Sequence, residues 1–290
     1  MATKAVFSAM PRELSLLYVC FYIACAGNEH TPGTIERLVS TAGGAQERRF
    51  VGGSQRVANR LAEKLGGQVH LAAPANKIVQ ERGRVRVEAR GITAVGKRAI
   101  VAVPPPLASR IDYHPLLPAS QDQLTQRWPM GSVMKVIAVY DEPFWRKDGL
   151  TGQVVSDTGP VQVTFDNTPR SGRPGAMMGF IEADDARELD DAPTSEIRKR
   201  VIDNYVTYFG SKARDYRRFV IHRWDGDRWS RGCPVAFGPP GLLLEYGEAI
   251  RKPCGRIHWA GTETPTYWTG YMDGAVRSGE RAAREVLNRL

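Results

Sequence analysis

The chain of 290 residues is 42% hydrophobic, 24% charged and 9% aromatic, which supports a packed core and excludes collagen, coiled coil and intrinsic disorder. Lys and Arg outnumber Asp and Glu by 40 to 31, a formal net charge of +9 that would suit an acidic partner or nucleic acid. The basic clusters Arg198-Lys199-Arg200 and Arg214 to Arg218 are too short and too broken by acids to carry that reading.

The N-terminus carries Lys4, Arg12, the apolar run Leu14 to Ala26 and the small stretch Ala24 to Gly27, which imitates a secretory signal. Arg12 and Glu13 directly precede the run, however, and Pro11 to Leu17 reads as the first turn of a buried helix. The run falls short of the roughly 20 apolar residues that span a bilayer. The cysteines Cys20, Cys25, Cys233 and Cys254 show no C-x-x-C pair, so neither a zinc site nor a disulfide framework is expected, and a reducing, cytoplasmic location is. Ser54 caps a helix with Val57, Ala58, Leu61, Ala62 and Leu65 on one face, stopped by Gly66. Arg84 to Arg90 alternates as a half-exposed strand, whereas Ala99 to Val103 is continuously apolar and reads as a strand covered on both faces.

Strands are predicted over Ser132 to Tyr140, Val161 to Phe165 and Ala176 to Ile181, with a helix from Ser195 to Phe209 stopped by Gly210. The chain closes with strand Ile257 to Ala260, a loop from Gly261 to Gly270, and a helix whose stripe is Met272, Ala275, Val276, Gly279, Ala282, Ala283, Val286, Leu287 and Leu290. A strand, glycine loop and helix in that order can place a ligand at a sheet edge; plain α/β packing explains them equally well. Lys135 lies mid-strand among Val133, Ile137 and Val139 on one face and Met134, Val136 and Ala138 on the other. Such a lysine either snorkels to an edge or has a partner and a lowered pKa.

Five blocks carry a further signal. Gln46 to Ser54, Met130 to Lys135, Glu142 to Lys147, Ser230 to Cys233 with Pro239-Pro240-Gly241, and Ala260 to Thr264 with Trp268 to Val276 resemble, in order and spacing, the flavin-containing monoamine oxidase family. The resemblance implies a two-domain α/β fold. Residues 1–50 and about 125–226 would form a substrate domain of mixed sheet and helices, and about 51–124 and 227–290 would belong to a Rossmann-like FAD-binding domain. It implies FAD-dependent oxidation of a primary amine to aldehyde, ammonia and hydrogen peroxide. The partners are then a small-molecule amine and dioxygen, without nucleic acid or metal, and with a homodimer left open.

Position by position, the resemblance makes Lys135 the lysine that holds a water against the flavin, and Tyr271 one of two rings flanking the amine. Val39, Gln46 and Phe180 fall on substrate-cavity positions, and Ala75, Trp224, Gly261, Glu263 and Met272 on cofactor-contacting ones. Cys233 matches the cysteine that some members join covalently to FAD. As lone residues most of these would be ordinary core or turn positions. Pro234 departs from the family, standing where the animal enzymes carry the second ring, so the amine site should be wider or differently walled.

No G-x-G-x-x-G turn occurs anywhere in the chain, although the family uses one to hold the FAD pyrophosphate. The FAD domain is therefore expected to be incomplete, with apolar faces uncovered. Poor solubility or self-association would follow, and a stable monodisperse monomer would contradict it. The alternatives are a catalytically inactive amine oxidase fragment, or a polyamine or amino-acid oxidase on the same scaffold.

Overall fold

The computed structural model describes residues 2–45 and 47–290. Eleven strands occur among them: β1 (Ala75–Glu81), β2 (Arg84–Ala89), β3 (Ile92–Gly96), β4 (Ala99–Val101), β5 (Asp112–His114), β6 (Val133–Tyr140), β7 (Val154–Val155), β8 (Val161–Asp166), β9 (Gly175–Glu182), β10 (Arg218–Arg223) and β11 (Ile257–Trp259). The chain divides into two compact units. Met1–Leu14 with Met130–Phe237 form the first, and Ser15–Pro129 with Gly238–Leu290 the second. Residues 15–50 thus group with 51–129, whereas the resemblance groups 1–50 with 125–226.

The first unit is built on a five-stranded sheet in the order β10-β6-β9-β8-β7, with every pairing antiparallel. Strict alternation in β6 explains its two faces. Met134, Val136, Ala138 and Tyr140 are buried in a core with Ile197, Val201 and Tyr205 of the helix Thr194–Phe209. Lys135, Ile137 and Val139 point the other way and are only half-buried. The helix follows Pro193 and stops at Gly210, whose φ of +83° a side chain would oppose.

In the second unit the order is β3-β2-β1-β5, with β1 and β5 parallel and the other pairs antiparallel. A separate parallel pair joins β4 to β11. Ile78, Val85, Val101, Tyr113, Ile257 and Trp259 form its core.

Several expectations change here. Pro11–Glu13 is a short 3-10 turn, and a separate helix, Leu16–Cys25, starts at Ser15, whose hydroxyl accepts from the Tyr18 N–H at 3.4 Å. Its buried residues are Tyr18, Tyr22 and Cys25, while Leu16 is 78% exposed. The four- and three-residue steps select the tyrosine face over the leucines. Strand β4 ends at Val101 and is not covered on both faces, because Ile100 has no layer above it and is 42% exposed. The helix Gln55–Leu65 buries none of its residues. In the helix Met272–Leu287 the buried stripe is Gly274, Ser278 and Ala282, leaving Met272, Val276 and Leu287 exposed. Close packing decides this: a Cβ on Gly274 would lie 2.1 Å from the Trp268 carbonyl oxygen. Only the small-residue stripe fits that approach, so the larger apolar side chains turn outward.

Candidate functional site

Four of the singled-out residues belong to the first unit. Lys135 on β6 lies opposite Phe180 of β9 and His222 of β10. Opposed residues share a face, so all three stand on the side of the sheet away from the helix. The Lys135 Nζ lies 5.9 Å from the centroid of the Phe180 ring, and Phe165 meets that ring edge-on at 6.3 Å. This settles the sequence alternatives in part: the lysine is half-buried beside an aromatic face, and no ion pair to it forms among the described residues.

Trp224 continues from β10, its N–H donating to the Val133 carbonyl at 3.2 Å. Its ring packs 4.2 Å from that of His222 at 65°. Asp225 next to it accepts from the Val133 N–H at 3.0 Å. Cys233 is tied to the same end of β6, because its N–H donates to the Gly131 carbonyl at 2.8 Å while the Gly131 N–H donates to Val235 at 3.3 Å. This approach needs glycine. A Cβ on Gly131 would lie 2.1 Å from the Phe7 oxygen and 2.6 Å from the Cys233 oxygen. Burial pushes the Cys233 thiol up to about 11, opposed by the charge of Lys135 and reinforced by the carboxylates of Asp225 and Glu182. The thiol is therefore protonated at neutral pH.

Glu182, unmarked in the sequence, ends β9 opposite Val133 and is only 5% exposed. Its Oε1 accepts from the Ser8 hydroxyl at 3.2 Å, and its Oε2 has no hydrogen-bond partner among the described residues. Burial raises its pKa to about 7 from an ordinary 4.5, against the pull of Ser8 and Lys4. A raised carboxyl keeps its proton in the folded state after the unfolded chain has lost it. Its contribution is therefore full below about pH 4 and lost as pH rises through about 7. Glu182→Gln should match the parent at pH 4 and exceed it at pH 8 by on the order of 3 kcal/mol. Urea unfolding at the two pH values measures this, and parallel pH dependence in parent and variant would refute it.

The second unit holds another group. Tyr271 precedes the helix Met272–Leu287 as its N-cap and makes no side-chain cap bond to it. Its ring lies 5.3 Å from Trp268 at 82° and 6.3 Å from Tyr22. Tyr22 in turn lies 6.2 Å from Tyr18, which meets Trp128 edge-on. Burial raises the Tyr271 phenol, and a hydrogen bond with Tyr22 opposes that shift. Gly261 follows β11 with φ +115°, a conformation side chains rarely adopt, and its N–H donates to the Ser278 hydroxyl at 3.0 Å. Glu263 is 3% exposed, and Met272 is exposed at the helix start.

The remaining residues are more scattered. Ala75 opens β1 at a register shift between Ala75 and Lys77. Val39 ends the short helix Ile35–Val39 and is 51% exposed. Gln46 lies outside the described residues. Sequence reasoning missed Tyr22, Trp268, His222 and Glu182. Only the Tyr18–Tyr22 spacing of four residues could have marked one of them, as the buried face of a helix.

Among the described residues no helix is long and apolar enough to cross a membrane, and no group of His, Cys, Asp and Glu is arranged to hold a metal.

The profile of the flavin-containing amine oxidoreductases matches residues 11–287. The chain belongs to that family. It is 41% identical over 289 residues to a probable flavin-containing monoamine oxidase A of Dictyostelium discoideum, covering 99% of this chain and 62% of that protein. It is 40% identical to the human flavin-containing amine oxidase B, covering 98% of this chain and 54% of the relative. Cyclohexylamine oxidase from Brevibacterium oxydans superposes with a TM-score of 0.92 at 32% identity, covering 99% of this chain and 63% of that one. Putrescine oxidase bound to putrescine gives 0.92 at 32% identity, covering 99% and 64%. The chain thus has the α/β architecture of the flavin amine oxidases, and spans less than two thirds of the length of these relatives.

FAD is the cofactor that this membership implies, and the second unit's residues fit it. Gly261 turns the backbone without a side chain, leaving only ordinary van der Waals contacts where a Cβ would stand. The helix after Tyr271 takes no cap from the Tyr271 side chain, and first-turn N–H groups are the kind of donor that polar cofactor oxygens take.

Proposed function

We propose that this chain takes part in the FAD-dependent oxidative deamination of a primary amine, yielding aldehyde, ammonia and hydrogen peroxide. The observation that carries this reading is Lys135, a lysine half-buried beside the Phe180 ring on the open sheet face of a flavin amine oxidase. The second unit would supply most of the FAD-binding part and the first unit most of the substrate part. Gly261, Glu263, Met272 and Ala75 would hold the cofactor, and Trp224 would pack against it.

When bound, the flavin accepts a hydride equivalent from the amine α-carbon and passes the electrons to dioxygen. The protein's own residues orient and desolvate. Lys135 donates from Nζ to a water and keeps it in place. By the family resemblance, Val39, Gln46, Phe180 and Tyr271 would be the residues that face the amine. A Tyr271 phenol held protonated by burial offers an uncharged ring to a neutral amine, the form whose α-carbon can lose hydride. Pro234 leaves one wall without the ring that animal enzymes carry there, which favours a wider range of amines. A thioether from Cys233 to the flavin would first need the thiol to lose its proton, and flavin remaining with acid-precipitated protein would reveal it. Four free cysteines suit a reducing compartment.

The relatives named for cyclohexylamine and putrescine support a primary amine as substrate, with a polyamine oxidase as the second reading. Peroxide release from FAD-loaded protein separates these readings. Benzylamine-like or phenylethylamine-like amines should support it and amino acids should not; the reverse pattern would remove primary monoamines as substrates.

A further inference from the structure

We propose that Arg281 and Arg251 are positioning residues that hold the Gly261–Thr264 turn in one conformation for the cofactor, a role that rests on the flavin reading above. The turn leaves β11, so no sheet ladder fixes its carbonyls. Side chains do so instead. Arg281 donates from Nη2 to the Trp259 carbonyl at 2.6 Å and to the Thr264 hydroxyl at 3.2 Å. Arg251 donates from Nε to the Thr264 carbonyl at 2.8 Å and from Nη2 to the Pro265 carbonyl at 2.7 Å. The two guanidiniums therefore grip the turn at both ends.

Inside the turn, the Thr264 N–H and hydroxyl both donate to the Gly261 carbonyl at 3.2 Å, and the Gly261 N–H donates to Ser278. Behind it, Arg281 donates from Nη1 to Glu285 at 2.5 Å, and the other Glu285 oxygen meets His258 Nδ1 at 3.0 Å. His258 is fully buried on β11. The chain His258–Glu285–Arg281 thus locks the guanidinium to the strand and to the last helix before it reaches the turn.

Energetics point the same way. Two partly buried cations beside one another repel, and burial together with the neighbouring Arg281 charge lowers the Arg251 pKa. A buried charge is in itself weak evidence for stabilisation. What charged forks provide instead is direction, with donors aimed at fixed carbonyl oxygens. The residues whose placement this direction sets are Gly261 and Glu263, two of those assigned to the cofactor.

The test compares the parent chain with Arg281→Met and Arg251→Met, without flavin and after adding FAD. Amide hydrogen exchange at Gly261 and Thr264 in the flavin-free chain should accelerate about tenfold or more in each variant. Exchange in β11 and in the helix Thr194–Phe209 should stay as it is. If Arg281→Met unfolds the second unit, Arg251→Met, which removes only the bonds to Thr264 and Pro265, carries the comparison. The variants should also weaken quenching of FAD fluorescence by a similar factor. Unchanged exchange at Gly261 and Thr264 would overturn the clamp. Accelerated exchange with FAD affinity equal in parent and variants would instead overturn the turn's cofactor role, and no FAD binding by the parent would count against the flavin reading itself.

Discussion

In FAD-loaded protein, Lys135→Met slows reduction of the flavin by amine about a hundredfold and leaves the flavin bound. Methionine keeps the length and flexibility of the lysine stem without its three donors, so packing beside Phe180 survives and the hold on water does not. Alternation in β6 confines the change to the half-buried face. The core face of Met134, Val136, Ala138 and Tyr140 is untouched, and stability should change by less than about 1 kcal/mol. Anaerobic mixing with amine, followed by loss of the oxidised flavin band, gives the rate. A variant as fast as the parent would remove Lys135 from the chemistry.

Gly131→Ala should destabilise the first unit by about 3 kcal/mol or more. The new methyl would stand 2.1 Å from the Phe7 oxygen and 2.6 Å from the Cys233 oxygen, and both are backbone atoms that no rotamer change can move. Relief requires separating segments held by the Cys233-to-Gly131 bond at 2.8 Å and the Ser132-to-Ser8 bond at 3.0 Å. Either movement also releases Cys233 from the end of β6. Denaturant unfolding should show the loss, and Cys233 should react faster with thiol reagents than in the parent. Parent-like stability would mean that the three segments lie further apart than described.

The first unit was the more legible in sequence, for a physical reason. Strands β6 and β9 and the helix Thr194–Phe209 each bury one face against another element of the same unit, so their apolar periodicity reports burial directly. The second unit breaks that link. Leu61 and Leu65 of one helix, Ile100 of β4, and Met272, Val276 and Leu287 of the last helix carry apolar signals yet meet no covering layer. Their elements could be located but their buried faces could not. The opening run failed for a local reason, since Ser15 supplies an N-cap inside what hydropathy alone reads as continuous.

The candidate site divides similarly. Lys135 stood out as a charge inside an apolar strand, and the Gly261 loop as a strand–loop–helix junction. Their particular roles, with those of Tyr271, Trp224 and Cys233, come only through the family resemblance. Glu182 and the pair Arg251 and Arg281 left no sequence trace, because what distinguishes them is contact with distant segments: Ser8 for Glu182 and Thr264 for both arginines. The net charge of +9 proved equally uninformative. Many basic residues are matched by acids in exposed pairs, as Arg217 is by Asp141 and Lys199 by Asp203; such pairs add nothing to the net charge and suit a dispersed, solvated surface.

The central claim, that this chain contributes to a flavin site that oxidises primary amines, is met most directly by the visible spectrum of the purified protein. FAD should bind and show its oxidised band, which benzylamine should bleach under argon and air should restore with release of peroxide. A bound flavin that no primary amine bleaches would contradict the claim.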